Sequence, residues 1–205
     1  MAKQFWKGSA LLAPVPAVLV SCGTAEKPNI LTIGWTGIVC TRPAMTYISV
    51  RPERFSHELI RESGEFVINL TTAAMVRETD FCGVKSGRDT DKAAACGFHI
   101  IPAEKVSAPL IDECPVSLEC RVTEEKLLGS HTMFLAEIVG VDVDEKYIDG
   151  SGRLDLQKCG LAAYAHGEYF ALGEKIGSFG FSVRKKKKHR NGPGLGGCPK
   201  STGGR

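Results

Sequence analysis

Asn29-Ile30-Leu31-Thr32-Ile33-Gly34-Trp35-Thr36-Gly37 reads as an apolar strand running into a tryptophan flanked by glycines. Asn29, Thr32, Trp35 and Thr36 interrupt its apolar sequence. A tryptophan beside two glycines is an unusual placement for pure core. A flat ring system with carbonyls and ring nitrogens suits such a wall, the amide meeting its polar edge and the indole its face. A buried indole whose N–H finds a carbonyl is the alternative. Outward from this stretch, β-rich runs alternate with polar turns, and the pattern predicts strands over 17–21, 30–35, 37–40, 45–50, 65–70, 115–123 and 132–143. Glu124 to Gly129 suits a hairpin connection. Helical segments are expected from Ser56, a suitable N-cap, to the stop at Gly64, over 73–79, and over Asp91 to Cys96. The class is mainly β with short helices, a barrel or sandwich of antiparallel strands. From Gly150 onward, frequent glycines divide the chain into pieces too short for long elements.

The 205 residues, 43% of them hydrophobic, suffice for one well-buried domain. The net charge of +3 conceals an asymmetry. Residues 184 to 205 hold eight Lys and Arg and no acid, leaving 18 basic against 23 acidic residues in the rest. We therefore divide the chain into a body, 1–184, and a basic, disordered tail, 185–205. Gly192-Pro193-Gly194-Leu195-Gly196-Gly197 in the tail matches a dinucleotide fingerprint formally. It lacks the preceding strand and following helix that give the fingerprint meaning. Eight cysteines without a CxxC pair suggest free thiols in a reducing cytoplasm. Lys3 and Lys7 precede an apolar run ending Leu19-Val20-Ser21-Cys22, a spacing like that of a lipoprotein cleavage box. Pro14 and Pro16 oppose a signal helix, so a buried strand and turn is the expectation. No run approaches the roughly 18 apolar residues of a membrane span.

Two segments carry anion-binding chemistry. Cys82-Gly83-Val84-Lys85-Ser86-Gly87-Arg88-Asp89-Thr90-Asp91-Lys92 combines glycines, a hydroxyl and three cations before a helix-like run. Arg51-Pro52-Glu53-Arg54-Phe55-Ser56 opens another helix. Unpaired amides and the helix dipole favour negative charge at such positions, and one phosphate can be shared between the two. The alternative for Arg51, Arg54 and Arg88 is a solvated face or ion pairs with Glu53, Glu58 or Asp89.

Together with Pro28 to Trp35, Gly64-Glu65-Phe66-Val67-Ile68-Asn69-Leu70 and the closing Ile176 to Arg184, these segments stand in the order found in the flavoredoxin and flavin-reductase-like family, which the chain resembles over most of residues 10 to 184. The resemblance implies a split β-barrel binding FMN noncovalently, as a homodimer with the flavin near the subunit interface. It places Asn29, Trp35, Thr36, Ser49 and Val50 along the flavin and ribityl chain. Arg51, Ser56, Ser86, Arg88 and Lys92 fall around the phosphate, and His131 and Tyr164 flank the isoalloxazine.

With a flavin as the reactive group, no nucleophile, triad or metal is required, and the sequence has no GxSxG, HExxH, Walker loop or paired-Cys metal site. The leading expectation is an FMN-dependent flavin reductase taking hydride from NAD(P)H and passing it to an acceptor. The alternative is an FMN electron carrier reduced by a partner protein. A third reading, nucleic-acid binding through Arg184-Lys185-Lys186-Lys187-Lys188-His189-Arg190, is opposed by the acidic body and the lack of interleaved aromatics.

Overall fold

The computed structural model describes residues 1–184. The expected disorder of 185–205 lies outside the described residues. Two compact units are distinguished, Met1–Glu174 and Lys175–Arg205. In the described part of the second, a 3-10 turn covers Phe181–Val183, and Arg184 Nη2 donates to Ser178 Oγ at 3.0 Å.

Met1–Glu174 is mainly β. In chain order it contains β1 (Val15–Pro16), β2 (Val18–Gly23), β3 (Pro28–Ile33), β4 (Thr36–Thr41), β5 (Ala44–Val50), α1 (Phe55–Ser63), β6 (Glu65–Leu70), α2 (Val76–Val84) and α3 (Lys92–Cys96). There follow β7 (Ile100–Ile101), β8 (Leu110–Ile111), β9 (Val116–Leu128), β10 (His131–Val143), β11 (Ala162–Ala165) and β12 (Glu168–Ala171). The large antiparallel sheet has the order β3-β2-β6-β9-β10-β5-β4. Its two edge strands are consecutive in the chain, joined by Gly34 and Trp35 alone. In a flat sheet, six inter-strand spacings would part those edges by about 29 Å. Three extended residue steps reach only about 10 Å. The sheet must therefore roll until its edges approach; at the end of the connection Ser49 N donates to Trp35 O at 2.9 Å, which carries the β4–β5 ladder on to Trp35. The expected barrel architecture follows from this connection.

Alternation along β2 shows how the barrel is filled. Val18, Val20 and Cys22 join Ile33, Ile48, Phe66 and Phe134 in the interior, with Ile60 of α1 packed among them. Leu19, on the opposite face, lies under α2 and α3 with Ile30, Met75, Cys82 and Ala93. Both faces of β2 are buried, which explains the apolar run Val18-Leu19-Val20. Leu19 to Cys22, the segment resembling a cleavage box, is entirely buried within this strand.

Three local expectations need correction. The helix expected to begin with a Ser56 cap is capped two residues earlier, by the extended Arg54 without a side-chain hydrogen bond. Ser56 is buried and accepts from Asn29 Nδ2 at 2.6 Å. The helix expected to stop at 79 runs to Val84, so Gly83 is helical rather than part of a loop. A Cβ at Gly83 would stand 3.2 Å from Thr32 Cβ, and the missing side chain lets α2 lie close on β3. Finally, β9 extends to Leu128 and meets β10 across the short Gly129-Ser130 turn, Gly129 adopting φ +67°.

Candidate functional site

Where α1 begins, the chain turns tightly, Arg54 N donating to Arg51 O at 3.0 Å. The helix has no side-chain N-cap, so its first-turn amides need acceptors from outside. Facing them is the connection from α2 to α3. Arg88 Nη1 donates to Glu53 O at 3.0 Å and its guanidinium lies 5.3 Å from the centre of the Phe55 ring, fastening the two segments together. Gly87 is pressed against Asn29, where a Cβ would fall 1.8 Å from Oδ1. Only glycine permits that approach.

The two segments enclose a recess of about 220 Å³ lined by Arg51, Arg54, Lys85 and Lys92, with Ser56, Ser86 and Glu53. Four cations face one carboxylate, so the recess is built for an anion. Arg51 makes a loose exposed pair with Glu53, 3.6 Å apart. Lys92 is almost fully buried, and its Nζ donates to Cys82 O at 3.0 Å and Lys85 O at 3.1 Å. An ammonium has three protons, so one remains for a ligand. Burial pushes the Lys92 pKa down, and an anion beside it would oppose that shift. Because Ser56 Oγ accepts from Asn29, its own proton is likewise free for the recess.

The recess opens into a cleft of about 390 Å³, the two sharing Leu31, Arg51 and Arg54. The ends of three strands form its floor: Trp35 after β3, Ser49 and Val50 of β5, and His131 of β10. His131 Nδ1 lies 2.9 Å from Ser130 Oγ. Asp80, Gly83 and Val84 of α2 supply another wall. Tyr164 of β11 and Tyr169 of β12 complete it, their rings edge to face with centroids 5.4 Å apart. Tyr169 Oη donates to Asp80 Oδ1 at 3.2 Å, and burial, with the charge of Asp80 adding, pushes the phenol pKa up to about 12.

Of the residues singled out from sequence, Trp35, Ser49, Val50, His131 and Tyr164 line the cleft, Ser56, Ser86 and Lys92 the recess, and Arg51 both. Asn29, Thr36 and Arg88 are in neither lining. Asn29 orients Ser56 from behind, Arg88 fastens the loop, and Thr36 is buried with Oγ1 donating to Tyr47 O at 2.6 Å. Arg54, Lys85 and Thr32, which belong to the segments singled out from sequence but were not among the residues placed at the cofactor, also line the site, as do Asp80 and Tyr169, which sequence reasoning did not select. The only local mark of the hairpin that carries Tyr169 is its turn, His166-Gly167. His166 and Gly167 both have positive φ, 53° and 99°, as the two-residue hairpin turn between β11 and β12 requires. Among the described residues there is no group of three or more His, Cys, Asp or Glu arranged to hold a metal, and no helix long and apolar enough to cross a membrane.

Comparison with known proteins agrees with this architecture. The flavin reductase like domain model matches residues 11–173. Flavoredoxin of Desulfovibrio vulgaris superposes with a TM-score of 0.83 at 31% identity, over 89% of this chain and 100% of that one. Flavoredoxin from Methanosarcina acetivorans gives 0.80 at 28% identity over the same shares. An uncharacterized protein of Pyrococcus abyssi is 29% identical over 170 residues, 83% of this chain and 97% of its own length.

Proposed function

The chain belongs to the flavin reductase like domain family, and from that premise we propose that it is an FMN-dependent oxidoreductase of the flavin reductase type, taking hydride from NAD(P)H and passing it to an acceptor. One observation carries the reading: a cationic recess opens directly into a flat-walled cleft, with Leu31, Arg51 and Arg54 common to both. That sequence of environments matches a phosphate joined through a polyol to a planar ring. In this reading Arg51, Arg54, Lys92, Ser56 and Ser86 hold the phosphate, while Asn29 and Arg88 keep the hydroxyl and the loop in place. Ser49 and Val50 follow the ribityl chain, and Trp35, His131 and Tyr164 border the ring.

FMN supplies the hydride and electron chemistry when bound. The protein's residues bind, orient and exclude water. Tyr169 presents a neutral phenol and Asp80 a carboxylate at the cleft wall. No side chain has to act as a nucleophile.

A second reading, an FMN electron carrier reduced by a partner protein, is favoured by the 31% identity and TM-score of 0.83 to a flavoredoxin. Assembly as a homodimer accounts for the apolar surface on the edge strand β4, where Ile38 and Val39 are 63% and 52% exposed, and at the tip of β9, where Leu127 is 71% exposed. Seven free cysteines among the described residues suit a reducing cytoplasm.

The test begins with the absorbance of the purified protein, followed by release and mass identification of the flavin. A colourless preparation that FMN cannot reconstitute overturns the proposal. Stopped-flow bleaching then separates the two readings. Rapid reduction by NADH or NADPH supports the reductase; failure of both, with success of a reduced carrier protein, supports the electron carrier.

A further inference from the structure

The α2–α3 connection carries a feature that flavin binding does not use. Cys82 of α2 is completely buried, and Cys96, the last residue of α3, is partly exposed. Their sulfurs lie 3.9 Å apart, the one thiol–thiol contact among the described residues. A disulfide needs about 2.05 Å, so closure asks for roughly 1.9 Å of approach. The short α3, which ends at Gly97 in the left-handed region, is the element that must give. Between the two cysteines, the chain contributes Lys85, Ser86, Gly87 and Lys92 to the anion recess.

We propose that Cys82 and Cys96 form a reversible disulfide, with hydrogen peroxide as oxidant, and that this bond clamps the base of the anion-binding loop. The clamp rests on the FMN reading above; the disulfide itself does not. Burial pushes the Cys82 thiol up to about 12, so Cys96, the accessible partner, attacks first. Burial and Glu78 raise the Cys96 pKa too, while a hydrogen bond from Cys82 and the charge of Lys92 oppose them. The Cys96 thiolate sulfur attacks one peroxide oxygen and the O–O bond breaks. The departing hydroxide takes a proton to become water, leaving a sulfenic acid. The Cys82 sulfur then displaces its hydroxyl, so that S–S forms as S–O breaks and the second water carries away the Cys82 proton. Two electrons pass from the sulfur pair to peroxide.

The clamp reinforces an existing link, since Lys92 Nζ already holds the carbonyls of Cys82 and Lys85. Covalent closure restricts the opening through which the phosphate leaves. The decisive experiment treats the full-length protein with hydrogen peroxide, alkylates the remaining thiols under denaturing conditions, and maps the peptides by mass spectrometry. The expected result is a peptide joining Cys82 to Cys96, lighter by two hydrogens, restored by dithiothreitol and absent from Cys96→Ser and Cys96→Ala proteins whose circular dichroism is unchanged. Both thiols remaining free, oxidation of Cys96 to sulfinic acid without a link, or pairing of Cys82 elsewhere would each overturn the disulfide. Release of FMN is then timed in both redox forms, with about tenfold slower release expected when oxidised, equivalent to 1.4 kcal/mol. An equal rate overturns the clamp. If neither form binds FMN, the functional reading and the clamp fall with it, and the peptide map alone decides the disulfide.

Discussion

The recess and the cleft are two ends of one site, built by different means. The recess comes from short, local pieces: the turn before α1, the loop between α2 and α3, and one amide from β3. Its polar atoms are already partly engaged, as Lys92 and Ser56 illustrate. The cleft comes from strand ends and a hairpin, residues as distant in sequence as Trp35 and Tyr169. Holding the ligand and presenting its reactive face are therefore separable tasks. Substitutions in the recess should change retention, and those in the cleft should leave retention alone.

The largest expected effect is that of Gly87→Ala. The new Cβ would sit 1.8 Å from Asn29 Oδ1 and 3.1 Å from Phe55 Cδ1. Asn29 cannot yield without losing Ser56, so the loop must lift from the recess. We expect FMN binding to weaken about a hundredfold, the equivalent of one or two charge-assisted contacts. Flavin fluorescence titration measures it. Riboflavin, which lacks the phosphate, should bind the variant and the parent alike. An equal loss for both flavins would break the division between the two ends.

Arg54→Ala sharpens the same comparison on a smaller scale. Arg54 borders both spaces yet makes no ion pair among the described residues, so its removal should cost mainly the ligand contact. A loss of about tenfold in FMN affinity is expected, again absent for riboflavin. Lys92→Ala is a poorer probe, because it also strips the buried carbonyls of Cys82 and Lys85 of their donor.

The contrast between the ends also explains what the sequence disclosed. Local segments have local signatures: hydroxyl, glycine and cation spacing marked 51–56 and 85–92 without any knowledge of the fold. Gly83 was misread because a helical glycine that permits close packing on Thr32 looks, in sequence, like a loop glycine. Ser56 resembled a cap because nothing local reveals that Asn29, twenty-seven positions earlier, would claim its oxygen. The Tyr169 wall was hidden for another reason. β11 and β12 are four residues each, pair with each other, have only the two-residue β1 beyond them on the β11 side, and lack a clear alternating pattern. The mainly β class was legible in β-rich runs alternating with polar turns, but the strand expected over 30–35 absorbed Gly34 and Trp35, which the structure shows to be the connection between the two edge strands.

Tyr169→Phe tests the cleft end. It keeps the ring against Tyr164 and removes the bond to Asp80, with an expected stability loss of ~1 kcal/mol in urea unfolding and no change in FMN affinity. Its alkaline behaviour carries a sign. Burial and Asp80 favour the protonated phenol, so the stability it contributes is present at neutral pH and lost as pH rises through about 12. The ultraviolet phenolate titration of the variant should lack that latest step. A changed FMN affinity would join the hairpin to retention and weaken the separation.

The smallest effect is expected far from both ends, at Asp142 on β10. Its Oδ2 is buried without a partner. Nearby Glu119 on β9 is held as an acceptor by the amides of Glu104, Lys105 and Val106, at 3.1, 2.6 and 3.1 Å. Burial and the charges of Glu119 and Glu104 push the Asp142 pKa above its ordinary value of 3.8. A carboxyl whose pKa is raised by folding stabilises the fold while protonated, and that contribution disappears as pH rises through the folded value. Asp142→Asn keeps a neutral group there at every pH. It should therefore be more stable than the parent at neutral pH, by less than about 1 kcal/mol because the site is partly solvated, with the gap closing below about pH 4. Thermal unfolding across that range measures it, and a gap that widened toward acid would reverse the assignment of the proton. Its FMN affinity and reduction rate should match the parent, because Asp142 lies at the opposite end of β10 from His131 and lines neither the recess nor the cleft.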